Sequence, residues 1–287
     1  MTRSTPDWVE QFEEYARSKT RFAAGVTLSP YVTELDNPAE GTVAVGSGWS
    51  RALFDGPFYL SPAPTPRRPA TSLVFVQSSD GNTVASDPAL LGGGDTDKHL
   101  IYEGLSRVAA DAVLAGADTV RNSRVVFSVW HPELVALRAS LGLPRHPVQI
   151  VATIHGVAVD DALLFNVPDI SVLLLTLAPA ARQMGQALKT RPWITALLMD
   201  RPEDLQRVFE QLGSLGIARL SCVGGHVLAG HLLDAGLIDD VYLTTGLRAG
   251  GEPGTPLRSK PWRRRVVVRK RGTGAEAGVI FEHLVPA

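Results

Sequence analysis

The sequence predicts an α/β fold built on a mixed, mostly parallel sheet. Three observations carry that prediction. Apolar runs of buried-strand length recur from residue 70 onward, helical patterns alternate with them, and glycines stand where strands hand over to helices. The last two runs, RRVVVRK and AGVIFEHLV, flank Gly272 to Gly274 and read as an antiparallel hairpin that makes the sheet mixed.

In chain order, Trp8, Phe12 and Tyr15 share one helical face while Glu10, Glu13 and Glu14 fall mostly elsewhere. This amphipathic helix needs a surface, either the core of its own chain or a dimer partner. Residues 26–60 read as irregular, and the prolines at 62, 64, 66 and 69 suit an extended connector. A boundary therefore falls near residue 69, between an extension (1–69) and a main domain (70–287). In the main domain TSLVFVQ is the first strand, and DTDKHLIYEGLSRVAA is a helix started by Asp95 or Thr96. DAVLAG, VQIVATI, ISVLLLTLA and ITALLMD have the length of buried strands. After Pro202, Leu205, Val208, Phe209 and Leu212 share one helical face; the strand ARLSCV, a helix from about His226 to Ala235 and the strand DDVYLTT follow.

Composition narrows the function. The 28 basic and 29 acidic residues nearly cancel, so the footprint of a general nucleic-acid binder is missing and the expected partner is a small molecule. No apolar stretch approaches the roughly 20 residues of a membrane span, and the first twenty residues lack the apolar core of a secretory signal. No membrane association and a cytoplasmic location are the expectation. Cys222, the only cysteine, reads as a buried strand residue. The seven histidines make no HExxH, so no metal site is expected, and the chain has no GxSxG and no P-loop, which weighs against hydrolases.

Three stretches bear chemistry. In CVGGHVLAG, Gly224 and Gly225 end a strand and open a helix whose first residues, His226, Val227 and Leu228, offer unbonded N–H groups and almost no capping oxygen. An anion can fill that role, although an ordinary strand-to-helix turn also accounts for two glycines. DAVLAGADTVRNSR places Gly116, Ala117, Thr119 and Val120 after another strand, with Arg121 and Arg124 close behind; two such strand ends can grip one extended cofactor, or Thr119 is a cap and the arginines are solvated. QSSDGNTVA turns at Asp80-Gly81, and Asp80 or Asn82 can orient a polar substrate. LLGGGDTD brings Gly92 to Gly94 before a helix, as a flexible loop or a surface of close approach, and Thr153 or His155 can meet a 2′-phosphate or simply sit in a surface loop.

The order of these stretches resembles the reductase domain at the C-terminus of the bifunctional riboflavin-biosynthesis deaminase/reductase, the RibD C-terminal family. SSDGNTVA is similar to its Ser-Leu-Asp-Gly-Lys segment, ADAVLAGADTV to its Ala-Asp-Ala-Ile-Leu-Val-Gly-Ala-Gly-Thr-Val segment, and VGGHVLAGHLLDAGLIDDVYL to its Glu-Gly-Gly segment, over about Pro69 to Val285. The resemblance implies a dihydrofolate reductase-like, three-layer α/β/α fold and a homodimer. It also implies NADPH, with the diphosphate on Gly224 to Leu228 and further contacts around Gly116 to Val120. It places Asp80 and Asn82 as catalytic and Arg107 and Arg124 as substrate-binding residues, for reduction of the ribosyl carbon of an aminopyrimidine phosphate or of a pyrimidine-like or pterin-like relative. The chain departs from the family at Asn82, at Ser123 and Arg124, and at Val223, which stands where the family has Glu. Those departures leave a rival reading, a nucleotide-binding protein of the same fold that has lost turnover. Residues 1–69 hold no histidine or cysteine, so a zinc deaminase signature cannot be built there.

Overall fold

A computed structural model describes residues 7–62, 67–121, 124–202, 204–258 and 263–287. Pro64, Pro66 and Ser123 lie outside those residues. In chain order the elements are α1 (Trp8–Gly25), β1 (Tyr31–Asp36), β2 (Val43–Val45), α2 (Gly48–Phe54), β3 (Phe58–Leu60) and β4 (Ala70–Gln77). A continuous helix follows over residues 94–108, made of α3 (Gly94–Thr96), a π-helical stretch (Asp97–Leu105) and α4 (Ser106–Val108). Then come β5 (Ala112–Gly116), α5 (Ala117–Val120), α6 (Pro132–Ser140), β6 (Val148–Thr153), β7 (Val172–Leu177), α7 (Ala178–Lys189), β8 (Ile194–Met199) and α8 (Leu205–Ser214). The chain closes with β9 (Arg219–Cys222), α9 (His226–Asp234), β10 (Asp240–Thr245), β11 (Arg264–Gly272) and β12 (Ile280–Pro286).

The main sheet has ten strands in the order β1-β11-β12-β10-β4-β9-β5-β6-β7-β8. From β10 to β8 every neighbour is parallel, and the β11–β12 hairpin and β1 add the antiparallel edge. Central strands are covered on both faces, which is why they read as continuous apolar runs: four of the five residues of β5 are buried. On one face α8 and α9 seal Leu73, Leu114, Cys222 and Val241, with Val208, Phe209 and Leu212 of α8 fully inside as the 3.6-residue period requires. On the other face the helix over 94–108, α6 and α7 cover the remaining alternate residues, including Val74, Val113 and Val151. This is the three-layer α/β/α arrangement with a dihydrofolate reductase-like mixed sheet.

Two expectations for the N-terminal part change. The amphipathic face of α1 lies on the chain's own core: Trp8, Phe12 and Tyr15 pack against the cluster around Trp130, with Tyr15 edge-on to Trp130 at 5.4 Å. Lys19 pairs with Glu103 at 2.7 Å and holds the helix along its length. Residues 26–60, read as irregular, contain β1, α2 and the β2–β3 hairpin. Three-residue strands are too short for alternation to be counted, and β1 is an edge strand with a register shift between Thr33 and Leu35 that breaks its period. Buried Lys270 of β11 secures this region, donating to Thr33 Oγ1 at 2.8 Å and to the Asp55 carbonyl at 2.9 Å.

The helix over 94–108 also starts differently. Neither Asp95 nor Thr96 caps it, since Gly93 is the cap residue and makes no side-chain bond. The Thr96 N–H is instead accepted by Glu276 Oε1 at 2.9 Å, and its hydroxyl donates to Ser29 O, so a carboxylate distant in sequence does the capping. Among the described residues no helix is long and apolar enough to cross a membrane.

Phe209 is fully buried in the centre of the α8 contact. Phe209→Ala is expected to lower unfolding free energy by about 3–5 kcal/mol in a urea titration; a loss below about 1 kcal/mol would contradict the packing described.

Candidate nucleotide site at the strand ends

The parallel ladder between β5 and β9 does not stop where the strands stop. Beyond the Leu114–Cys222 pair, Val223 N–H donates to Leu114 O at 2.9 Å and Gly116 N–H donates to Gly224 O at 3.2 Å. The two glycine turns are thereby zipped together. A Cβ on Gly225 would lie 3.6 Å from both Gly116 Cα and Gly116 N, so the backbones nearly touch. Gly224 and Gly225 have φ of 139° and 94°, conformations that L side chains rarely adopt. Nothing lies within 4 Å of the space a Gly224 Cβ would take, so this glycine faces open room.

From that turn α9 starts uncapped. Its first backbone bond runs from Ala229 N–H to Gly225 O, which leaves the N–H groups of His226, Val227 and Leu228 at the open end. Val227 is 71% exposed, an apolar side chain displayed beside the turn. His226 does not cap either: its Nδ1 lies 3.1 Å from Thr83 Oγ1. The Thr83 hydroxyl spends its proton on Thr255 O, so the imidazole is the donor in that contact. This bond draws the third predicted stretch to the other two. The one-turn α5 likewise starts at Gly116 without a side-chain cap, with Thr119 half-buried within it.

Asp80 and Asn82 divide their roles. The exposed Asp80 carboxylate accepts from Ser78 Oγ at 2.5 Å, Asn82 Nδ2 at 3.1 Å and Gly250 N at 3.2 Å. The Ser78 hydroxyl, followed by the Gly250 N–H, holds its pKa below the usual carboxylate value. It is an acceptor and not an acid. Asn82 is buried; its amide donates to Asp80 and to Gly250 O and accepts from the Gly254 and Thr255 N–H groups. Those bonds use its hydrogen-bonding capacity, so the expected catalytic Asn82 is a tie between two loops.

The other expected positions separate. Arg107 is 2% exposed and not on a helix surface: its guanidinium lies 4.4 Å over the Tyr102 ring and 5.5 Å from the Phe127 ring, and Nη1 reaches Ser128 O. Nε and Nη2 have no partner, and the aromatic packing takes Arg107 away from a docking surface. Arg124 is exposed. Val223 is buried in the aromatic cluster beneath α1, where valine belongs and a carboxylate would be uncompensated; its carbonyl accepts from Tyr102 OH at 3.2 Å. Burial pushes the Cys222 thiol up to about 12, which makes it unreactive.

Arg121 and His155 were only passing candidates in the sequence, and the fold places them together. They line a cleft of about 490 Å³ with Gly156, Gln183 and Met184, beyond the carboxyl end of β6 and beside α5. Thr153 turns inward and donates to Gly156 O at 2.9 Å, so it shapes the loop. Among the described residues no group of three or more His, Cys, Asp or Glu is placed to hold a metal ion.

Adjacent parallel strand ends carrying glycine turns, with an open helix terminus and a cleft further along the sheet, define an α/β protein with a nucleotide-type crevice. Comparison with known proteins places it further. Residues 73–260 match the model of the RibD C-terminal domain, and the chain belongs to that family. Among solved structures it is similar to a pyrimidine reductase-like protein from Corynebacterium diphtheriae, with 23% identity, TM-score 0.60, and 78% of this chain and 94% of that chain covered. It also resembles RibD of Acinetobacter baumannii, with 17% identity, TM-score 0.60, and 78% of this chain and 59% of that chain covered. A third likeness is to the riboflavin biosynthesis reductase of Saccharomyces cerevisiae, with 16% identity, TM-score 0.53, and coverage of 78% and 93%. No curated protein matches at a significant level.

Replacing Asn82 with Ala leaves the Gly250 carbonyl and the Gly254 and Thr255 N–H groups unmatched. A stability loss of about 1–3 kcal/mol is expected, with faster amide exchange confined to 250–256; unchanged exchange there would mean that Asn82 is not the tie.

Proposed function

We propose that the protein is an NADPH-dependent oxidoreductase that transfers a hydride to a pyrimidine-like or pterin-like small molecule, in the manner of the riboflavin-pathway aminopyrimidine-phosphate reductase. One observation carries this reading: Gly116 and the Gly224–Gly225 pair are joined backbone to backbone at the mouth of an uncapped helix. The site fits the cofactor. Open room at Gly224, unbonded N–H groups on His226 to Leu228 and the helix dipole suit a diphosphate, and the exposed Val227 gives a nucleotide an apolar wall. Gly116, Ala117, Thr119 and Val120 flank the ribose. In the cleft beyond, Arg121 and His155 supply donors for a 2′-phosphate, which only the phosphorylated dinucleotide carries.

When bound, NADPH supplies the hydride, and the chain supplies position. Asp80, held ionised, accepts N–H groups of the acceptor ring and fixes its register against the cofactor site, while Asn82 fixes the loops that carry Asp80 and Gly250. Hydride transfer depends steeply on such alignment. The same reading makes the protein a cytoplasmic homodimer, which sedimentation velocity would show directly.

Calorimetric titration tests the cofactor claim. NADPH is expected to bind at least tenfold more tightly than NADH, and Arg121→Ala to erase most of that difference by removing one charge-assisted contact worth about 1.5–3 kcal/mol. Gly225→Ala, strained at a φ of 94°, is expected to weaken both nucleotides. No binding of either nucleotide would remove the function proposed, and tight binding without oxidation of NADPH by any pyrimidine or pterin acceptor would favour the non-catalytic rival.

A further inference from the structure

The geometry points to Asp97 as the proton donor of the reduction, held at the strand ends beside the acceptor site and backed by Glu276. This rests on the reductase reading above and adds to it the source of the proton.

Asp97 opens the π-helical stretch and lies where β4 and β10 end. Its carboxyl receives a hydrogen bond from Thr244, whose strand partner is Val76, and a Cβ placed on Gly93 would sit 2.8 Å from Val76 Cγ2 and 2.9 Å from Asp97 Oδ2. Four residues beyond Val76 the same chain segment reaches Asp80. The strand that carries the Gly224–Gly225 pair, β9, is the other neighbour of β4. At the usual strand spacing Asp97 is therefore about 5–10 Å across the sheet from the glycine turn.

The glycine run Gly92 to Gly94 is explained by these carboxyls. A Cβ on Gly94 would lie 2.6 Å from the Glu276 carboxyl carbon, just as one on Gly93 would strike Asp97. Both acids are only 8% exposed, yet they are incompletely bonded: Glu276 Oε2 and the neighbouring Tyr31 hydroxyl are buried with no partner. A cluster kept only to hold the fold together would spend those groups. π-Helical turns are likewise concentrated at functional sites.

Burial, and then the Glu276 charge, raise the Asp97 carboxyl from the ordinary 3.8 to about 7, so it holds a proton at neutral pH while Asp80 does not. The titratable groups that face it are Glu276 ahead of β12 and Tyr31 on β1; β4 and β10 present Val76 and Thr244. The step balances. The acceptor carbon of a C=N group gains two electrons as hydride from the reduced nicotinamide, which becomes oxidised. The acceptor nitrogen takes the Asp97 proton, and water returns a proton to the carboxylate.

Asp97→Asn keeps the shape and removes the proton. With the ribosylaminopyrimidine phosphate as probe acceptor, turnover is expected to fall at least 100-fold while NADPH affinity stays within twofold. The wild-type rate is expected to fall above about pH 7, and Glu276→Gln to move that limb to lower pH. Stability provides a readout independent of activity. A carboxyl raised on folding keeps the folded state favoured below its unfolded value and loses that contribution as pH rises through about 7. The Asn variant should therefore melt higher than wild type at pH 8, by on the order of 5–10 °C, and not at pH 4. An Asn variant that binds NADPH and turns over within threefold of wild type, with an unchanged pH profile, would overturn the donor role alone. Wild-type protein that binds no NADPH would overturn the reductase reading and this role with it.

Discussion

The structure depends on one backbone contact, the hydrogen bond from Gly116 N–H to Gly224 O that carries the β5–β9 ladder past the strand ends. A parallel pair slants its bonds evenly, so two strands in register can continue to pair into their turns only if neither turn carries a side chain at the crossing. Gly116 and Gly225 meet that condition, with backbones in van der Waals contact. Leu114, Cys222 and Val223 are buried beneath the contact, which fixes the height of both turns against the core. The crevice is thus set by the best-packed part of the sheet, while exposed loops supply the variable polar groups.

Around that contact the chain arranges acids of opposite character. Asp80 is surrounded by donors from Ser78, Asn82 and Gly250 and stays ionised, whereas Asp97 lies against Val76 and a second carboxyl and keeps its proton. Two carboxyls of unlike protonation near one strand end serve different tasks, one orienting and one donating. The N-terminal helix adds a third layer of support. It seals the aromatic cluster that includes Val223 and Tyr102, and the Tyr102 hydroxyl holds the carbonyl of Val223 from the face opposite α9.

Much of the fold could be read in the sequence because buried parallel strands announce themselves as unbroken apolar runs, and the α8 face follows a clean helical period. The glycine pair was legible for a similar reason: two consecutive positive-φ positions need glycine, and the residues that follow offer no cap. What escaped was set by contacts distant in the chain. β1 is recognisable only through its partner β11 and the Lys270 tie. Asn82 looked like a substrate-facing residue because its saturation comes from Gly250, Gly254 and Thr255. Arg107 looked like a surface arginine because Tyr102 and Phe127 close over it only in three dimensions. Asp97 sits in no motif, and its only sequence sign is the unexplained run of glycines before it.

The central claim is that the joined glycine turns hold a dinucleotide diphosphate. The most direct measurement is a backbone amide chemical-shift titration of isotope-labelled protein with NADPH. The largest shifts are expected at Gly116 to Val120 and at Gly224 to Leu228, with a second group at Arg121 and His155 that NADH does not reproduce. Shifts that leave both glycine turns unmoved while NADPH binds elsewhere would contradict the account.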